Sequence, residues 1–141
     1  PQDVYDRPHN LFVADFLGSP PMNTAPATVY RSRTGPAVRL GGQEIPLAGS
    51  VATAPPEGAA VIVGIRPEHI AVDPDGGIDG RVTTVESLGH ERLLACVVDG
   101  RRLIVRQPRS APTVGPGAAA ALRADPAHVH LFDPDTTERL P

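Results

Sequence analysis

His128 and His130 stand two residues apart, and on a strand both imidazoles would face one side, a spacing that can serve a metal ion. A metal needs further ligands, and neither a carboxylate nor a Cys falls at a recognised metal spacing from this pair. The two histidines therefore read as structural. Ser87, His90 and Glu91, and the adjacent Glu68 and His69, supply the residue types of acid–base chemistry. Such chemistry requires a base within hydrogen-bond reach of a nucleophile and a third group to orient it, whereas neighbours along a strand face opposite ways. Glu68-His69, directly after Arg66-Pro67, reads more simply as a polar turn between two strands. Cys96, the single cysteine, sits in an apolar stretch and reads as a small buried hydrophobe rather than a nucleophile. Arg101, Arg102, Arg106 and Arg109 form the one basic cluster. It can touch an acidic surface or phosphates, and reads first as a solvated strand edge that discourages edge-to-edge pairing. Neither GxxxxGK[ST] nor GxGxxG occurs, so the chain has no recognisable nucleotide grip.

The elements that must position these residues are short. Of 141 residues, 17 are Pro and 14 Gly, which leaves little room for long helices and implies many brief elements joined by turns. Aromatics are only 4 % with no Trp, so the core must be aliphatic. Helical spacing of Leu11, Phe12, Phe16 and Leu17 over residues 1–17 stops at Gly18. Strand signals follow at Thr28–Tyr30, Ala37–Leu40, Glu44–Leu47, Val61–Ile65 and Ile70–Val72, with Pro46 placing the third at an edge. Ser50–Gly58 reads as a loop and Asp73-Pro74-Asp75-Gly76-Gly77 as a turn between two halves. Beyond it come Gly80–Leu88, Arg92–Val98 and Arg101–Arg106, with Asp99-Gly100 as a strong hairpin signal. Ala118–Arg123 reads as a strand or a short helix, and Val129–Phe132 as a last strand. The two halves show no repeat at the level of sequence. Roughly nine short, turn-punctuated strands point to a small β-barrel rather than an α/β sheet.

The net charge of −3, with all 13 basic residues Arg, argues against a nucleic-acid partner, and no apolar run approaches the ~18 residues that span a bilayer. No secretory signal is evident, so the expected compartment is the cytosol. A start at Pro1 rather than Met suggests a piece of a longer protein.

Four stretches, in order, carry a resemblance: "VYDRPHNLFVADFLGSPPMN" (Val4–Asn23), "VGIRPEHI" (Val63–Ile70), "VESLGHE" (Val85–Glu91) and "HLFDPDTTERL" (His130–Leu140). Together they resemble the carboxy-terminal region of the ATPase subunit of maltose-type carbohydrate ABC importers, a transport-associated OB (TOBE) domain. One departure stands out: the family's closing segment has Thr-Gly where this chain has Thr136-Thr137. The resemblance implies a mainly β, OB-like barrel built of strands from both halves (about 25–75 and 78–141), preceded by a helical tail and linker over 1–24. It implies a regulatory and dimerisation role in an importer of sugars or glycerol-phosphate compounds. ATP and magnesium would be bound only by the missing motor domain, with no cofactor and no catalytic residue in this chain.

The implied partners are a second copy, the permease subunits reached through the motor, and a cytosolic regulatory protein. The implied place is the inner face of the membrane, without insertion. Linker and interface candidates are Gly18, Ser19, Pro20, Met22 and Asn23, and then Arg66, Pro67, Glu68 and His69. In the linker, Gly18 permits a sharp exit from the helix and the prolines fix φ, as a force-bearing joint requires. The competing reading is a free-standing OB-like module that binds a small oxyanion or an oligonucleotide. Few aromatics are available to stack bases, with Tyr5, Phe12 and Phe16 all in the helical segment. A small hydrolase using Glu68, His69 or His128 lacks an oriented constellation.

Overall fold

A computed structural model describes residues 20–47 and 54–140. The helical reading of residues 1–17, Gly18 and Ser19 lie outside the described residues, as does the first part of the Ser50–Gly58 loop. The described chain forms β1 (Asn23–Thr28), β2 (Tyr30–Ser32), β3 (Gly35–Leu40), β4 (Gln43–Pro46), β5 (Ala60–Ile65), β6 (Ile70–Val72), β7 (Ile78–Ser87), β8 (Glu91–Val98), β9 (Arg101–Pro108), β10 (Ala119–Ala124) and β11 (His130–Phe132). Two short 3-10 turns, Pro67–His69 and Pro126–His128, interrupt the strand sequence. The sheets run β1-β5-β11, β2-β3-β4 and β6-β10-β7-β8-β9, and every strand pair is antiparallel.

β5 lies between β1 from the first half and β11 from the second, so strands of both halves share one sheet, as an OB-like barrel demands. Its run Val61–Ile65 is apolar without alternation because the strand is covered on both faces. β7, by contrast, is buried at Ile78 and Val82 and exposed from Thr83 to Ser87, so the far end of the β7–β8 hairpin stands clear of the barrel. A register shift between Val82 and Thr84 marks the point of departure, where Thr83 Oγ1 donates to the Ala95 carbonyl.

The five-stranded sheet curls until β9 packs against β6 and the Pro67–His69 turn. One aliphatic core fills the interior, with Ile45, Leu47, Ile78, Leu94, Leu122 and Leu131 among its fully buried members.

Several local readings hold. Asp99 and Gly100 have φ of 50° and 77°, the paired positive values that a two-residue hairpin turn needs. β4, with Pro46, is an edge strand. Ala118–Arg123 resolves as strand: β10 pairs with both β6 and β7. The reading of Thr28–Tyr30 as one strand is corrected, because it straddles a break. The Val29 amide donates to the Ala59 carbonyl and its own carbonyl accepts from Gly58, so the chain passes from one sheet to another there while the Val29 side chain stays buried.

The absence of a repeat is also corrected. Ile65–Asp75 and Ala124–Asp135 are two versions of one unit: strand, Pro-led 3-10 turn, strand, then Asp-Pro-Asp. In each, the turn's His amide bonds the carbonyl three residues back (His69 to Arg66, His128 to Asp125). In each, the first Asp of Asp-Pro-Asp caps the following amides (Asp73 to Asp75, Asp133 to Asp135 and Thr136). The units exchange strands, β5 with β11 and β6 with β10, so their turns cross and the His69 and His128 rings stack at 3.6 Å and 3°. The two units share Pro-x-His and Asp-Pro-Asp, and one inserted residue puts these two motifs out of step in the sequence.

The closing turn forms despite Thr136-Thr137. Thr137 takes φ 63°, the left-handed region where glycine is at home, and its amide donates to the Asp133 carbonyl. A β-branched residue there is strained by about 1–2 kcal/mol, partly offset by glycine's larger unfolded-state entropy. Thr137→Gly should therefore raise stability by about 0.5–1 kcal/mol. A higher urea midpoint at constant m-value would show it, and an unchanged or lower midpoint would contradict it.

Candidate functional site

The chain enters the barrel through Pro20, Pro21, Met22 and Asn23. Met22 is 4 % exposed and packs with Phe132 and Ile62 in a small cluster apart from the main core. Gly64 on β5 makes room for it: a Cβ there would stand 2.6 Å from Met22 Sδ and 2.7 Å from Phe132 Cε2. Asn23 follows with both ends of its amide engaged. Its Nδ2 donates to the Ile104 carbonyl and its Oδ1 accepts from the Ile104 amide, each at 2.8 Å. The side chain thus imitates a strand neighbour and joins the edge strand β1 to the edge strand β9. Gln43 does the same at another seam, donating to the Ala124 carbonyl and accepting from its amide, both at 2.8 Å. Sequence reasoning placed Asn23 in the linker but missed the seam, and missed Gln43 altogether. No spacing signal announces an amide that pairs with backbone 81 residues away.

The second candidate group surrounds the crossing of the two 3-10 turns. Arg66 and Pro67 are buried, Glu68 is exposed and His69 is half-buried against His128. His128 Nε2 lies 3.8 Å from Asp125 Oδ2, and Asp125 also caps its own turn by accepting from the Ala127 amide. His130, at the start of β11, has its pKa pushed down to about 4, first by burial and then by the positive charges of Arg139 and Arg66 and the neighbouring His128 and His69.

The sign of the resulting pH dependence follows from that shift. Above the ordinary value of 6.5 His130 is neutral in both folded and unfolded chains, and its environment costs nothing. Between 6.5 and about 4 the unfolded chain binds a proton that the folded chain refuses, so stability falls as pH falls through that window. His130→Asn should flatten the stability–pH curve there relative to the parent chain. An equal slope in denaturant titrations at several pH values would contradict this.

The other candidates separate. His128 lies in a 3-10 turn and His130 in a strand, so the two do not share a strand face. No group of three or more His, Cys, Asp or Glu among the described residues is placed to hold a metal. Glu91 is taken by Arg106 in a two-pronged ion pair at 2.7 and 3.0 Å, which holds its carboxyl below the usual range, while Ser87 and His90 are exposed at the hairpin end. Cys96 is fully buried in β8, and burial pushes its thiol pKa up. Arg101, Arg102, Arg106 and the flanking Arg109 do mark a sheet edge, since β9 is outermost in its sheet.

The matches with known proteins agree with this geometry. The MalK OB fold domain model matches residues 18–70 and the TOBE domain model residues 63–132. An uncharacterized ABC transporter ATP-binding protein, y4oS, of Sinorhizobium fredii is 40 % identical over 99 % of this chain and 37 % of its own length. The sn-glycerol-3-phosphate import ATP-binding protein UgpC of Jannaschia sp. is 39 % identical over 99 % of this chain and 38 % of its own length. The alpha-glucoside transport ATP-binding protein AglK of Rhizobium meliloti is 38 % identical over 94 % of this chain and 38 % of its own length. The chain thus spans under two-fifths of these relatives. Among solved structures, the cytoplasmic molybdate-binding protein ModG superposes with a TM-score of 0.60 over 79 % of this chain and 96 % of that one, at 20 % identity, a likeness of fold. The chain belongs to the family of TOBE and MalK OB-fold domains, whose members similar to it here are ATP-binding subunits of sugar and glycerol-phosphate transporters.

Proposed function

We propose that the chain is the regulatory and dimerisation region of the ATPase subunit of an ABC importer for sugars or glycerol-phosphate compounds. One observation carries this reading: the MalK OB-fold and TOBE models follow each other along one interlocked barrel, and relatives similar over 99 % of the chain include sn-glycerol-3-phosphate import ATP-binding proteins. In this reading ATP and magnesium bind a motor domain encoded before Pro1, and the barrel itself performs no hydrolysis. Gly18, Ser19, Pro20, Met22 and Asn23 form the joint that ties the motor to the barrel. Glu68 and the half-buried His69 belong to a surface available to a second copy or to a cytosolic regulator, with the buried Arg66 and Pro67 beneath it. The assembly sits on the inner face of the membrane, held there by permease subunits.

The coding sequence upstream of Pro1 should contain GxxxxGK[ST], and its absence would overturn the reading. Purified full-length protein should hydrolyse ATP and sediment as a dimer. Removing residues 20–141 should retain nucleotide binding while shifting the sedimentation toward monomer. A dimer equally strong without the barrel would refute the dimerisation role.

A further inference from the structure

We propose that the cleft where β1, the β3–β4 turn and the start of β9 meet is a binding site for a small organic phosphate. Three arginines are among its lining residues, Arg39 near the end of β3 and Arg101 and Arg102 at the start of β9, and Asp99 is the one acidic residue there. This local excess of positive charge opposes the chain's net charge of −3.

None of the three arginines is in an ion pair; those among the described residues join Arg106 to Glu91, Arg123 to Asp73 and His128 to Asp125. Glu44 faces Arg39 across the β3–β4 pair, but its carboxylate accepts the Tyr30 hydroxyl at 2.6 Å instead. Arg39 is itself positioned, 5.2 Å from the Tyr30 ring centroid and donating one Nη1 hydrogen to the Gly42 carbonyl. A guanidinium has five N–H donors, so most of its capacity remains for an anion. Planar, paired donors suit phosphate oxygens better than a lysine would.

The cleft also has a non-polar side. Leu40, Val98 and Leu103, each 5–6 % exposed, form its base, and Ala25 and Pro26 of β1 one wall. Its volume is about 170 Å³, room for roughly five or six waters at ~30 Å³ each. A phosphate bearing a short carbon chain would use both sides, and inorganic phosphate only one. Asn23 borders the same cleft, so an occupant would bridge β1 and β9 beside the seam that its amide closes.

The test is calorimetric titration of the full chain, at constant ionic strength, with sn-glycerol 3-phosphate, glucose 6-phosphate, inorganic phosphate and glycerol. The organic phosphates should bind, inorganic phosphate should bind about tenfold more weakly, and glycerol should not bind. Arg101→Ala with Arg102→Ala should weaken organic-phosphate binding at least about tenfold. Arg123→Ala, outside the cleft, should leave it unchanged, and thermal unfolding of each variant verifies that it is folded. Organic phosphates that fail to bind at millimolar concentration, or that bind the double variant as well as the parent, overturn the proposal. Equal affinity for inorganic phosphate overturns the organic class, since the carbon chain would then contribute nothing.

Discussion

Replacing Phe132 with alanine should lower the stability of the barrel by about 3–5 kcal/mol, the range for a large aromatic removed from a packed site. Phe132 is fully buried, yet it packs outside the main core, with Met22 and half-buried Ile62 as its cluster. Few neighbours can move in to fill the space, because Gly64 presents no side chain on that side of β5 and β11 is fixed by pairing with it. The cavity cost therefore adds to the lost transfer energy. The substitution should also release Met22, the buried residue of the entering segment. A large move of the Met22 methyl resonance toward its solvent-exposed position would report this. Met22→Ala alone should cost about 2–5 kcal/mol. Because the two side chains touch, the pair should be less damaging together than the sum of the singles. A strictly additive pair, or a Phe132→Ala loss under about 1 kcal/mol, would show that the cluster does not anchor the entry.

This anchoring shows how unevenly the sequence revealed the molecule. Strand positions fixed by local chemistry were legible: Asp99-Gly100 makes a two-residue hairpin turn, and Pro46 falls on an edge strand. The four stretches that carry the family resemblance pointed to the barrel. The pairing of β5 with β11 and of β6 with β10 was not legible, since nothing local distinguishes two partners at long range. The Arg66–His69 turn and its counterpart at Asp125–His128 read as unrelated because one residue more separates Pro-x-His from Asp-Pro-Asp in the second, although the folded chain stacks His69 on His128. Thr136-Thr137 was visible as a departure from the family pattern, but only the backbone showed that the second Thr carries the left-handed conformation.

The seams are the least legible feature and the most consequential for how the chain enters the barrel. Each amide makes two hydrogen bonds to one backbone residue, Asn23 to Ile104 and Gln43 to Ala124, and at roughly 0.5–1.5 kcal/mol net per bond each seam contributes about 1–3 kcal/mol. The seams join different strand pairs, so Asn23→Ala with Gln43→Ala should lose about 2–6 kcal/mol, close to the sum of the singles. Asn23→Asp is the more discriminating change. An aspartate keeps the size and still accepts from the Ile104 amide, but it has no N–H for the Ile104 carbonyl and sets a negative charge against that oxygen. It should therefore recover little of the asparagine's contribution, whereas a role that rested on shape alone would leave the aspartate variant near the parent. Hydrogen exchange at Ile104 provides the local readout. That amide faces away from β8 on an edge strand, and Asn23 Oδ1 is its acceptor. In Asn23→Ala its exchange should accelerate well beyond what the global loss of stability explains, while the Ala124 amide, held by Gln43, should follow the global loss only. Equal acceleration at both amides would mean that the seam at Asn23 is a passive consequence of the fold. Selective release of Ile104 would mean that the residue directly after Met22 locks the entering chain onto β9, so that a force arriving through Pro20-Pro21 is delivered to both sheets rather than peeling β1 from β5.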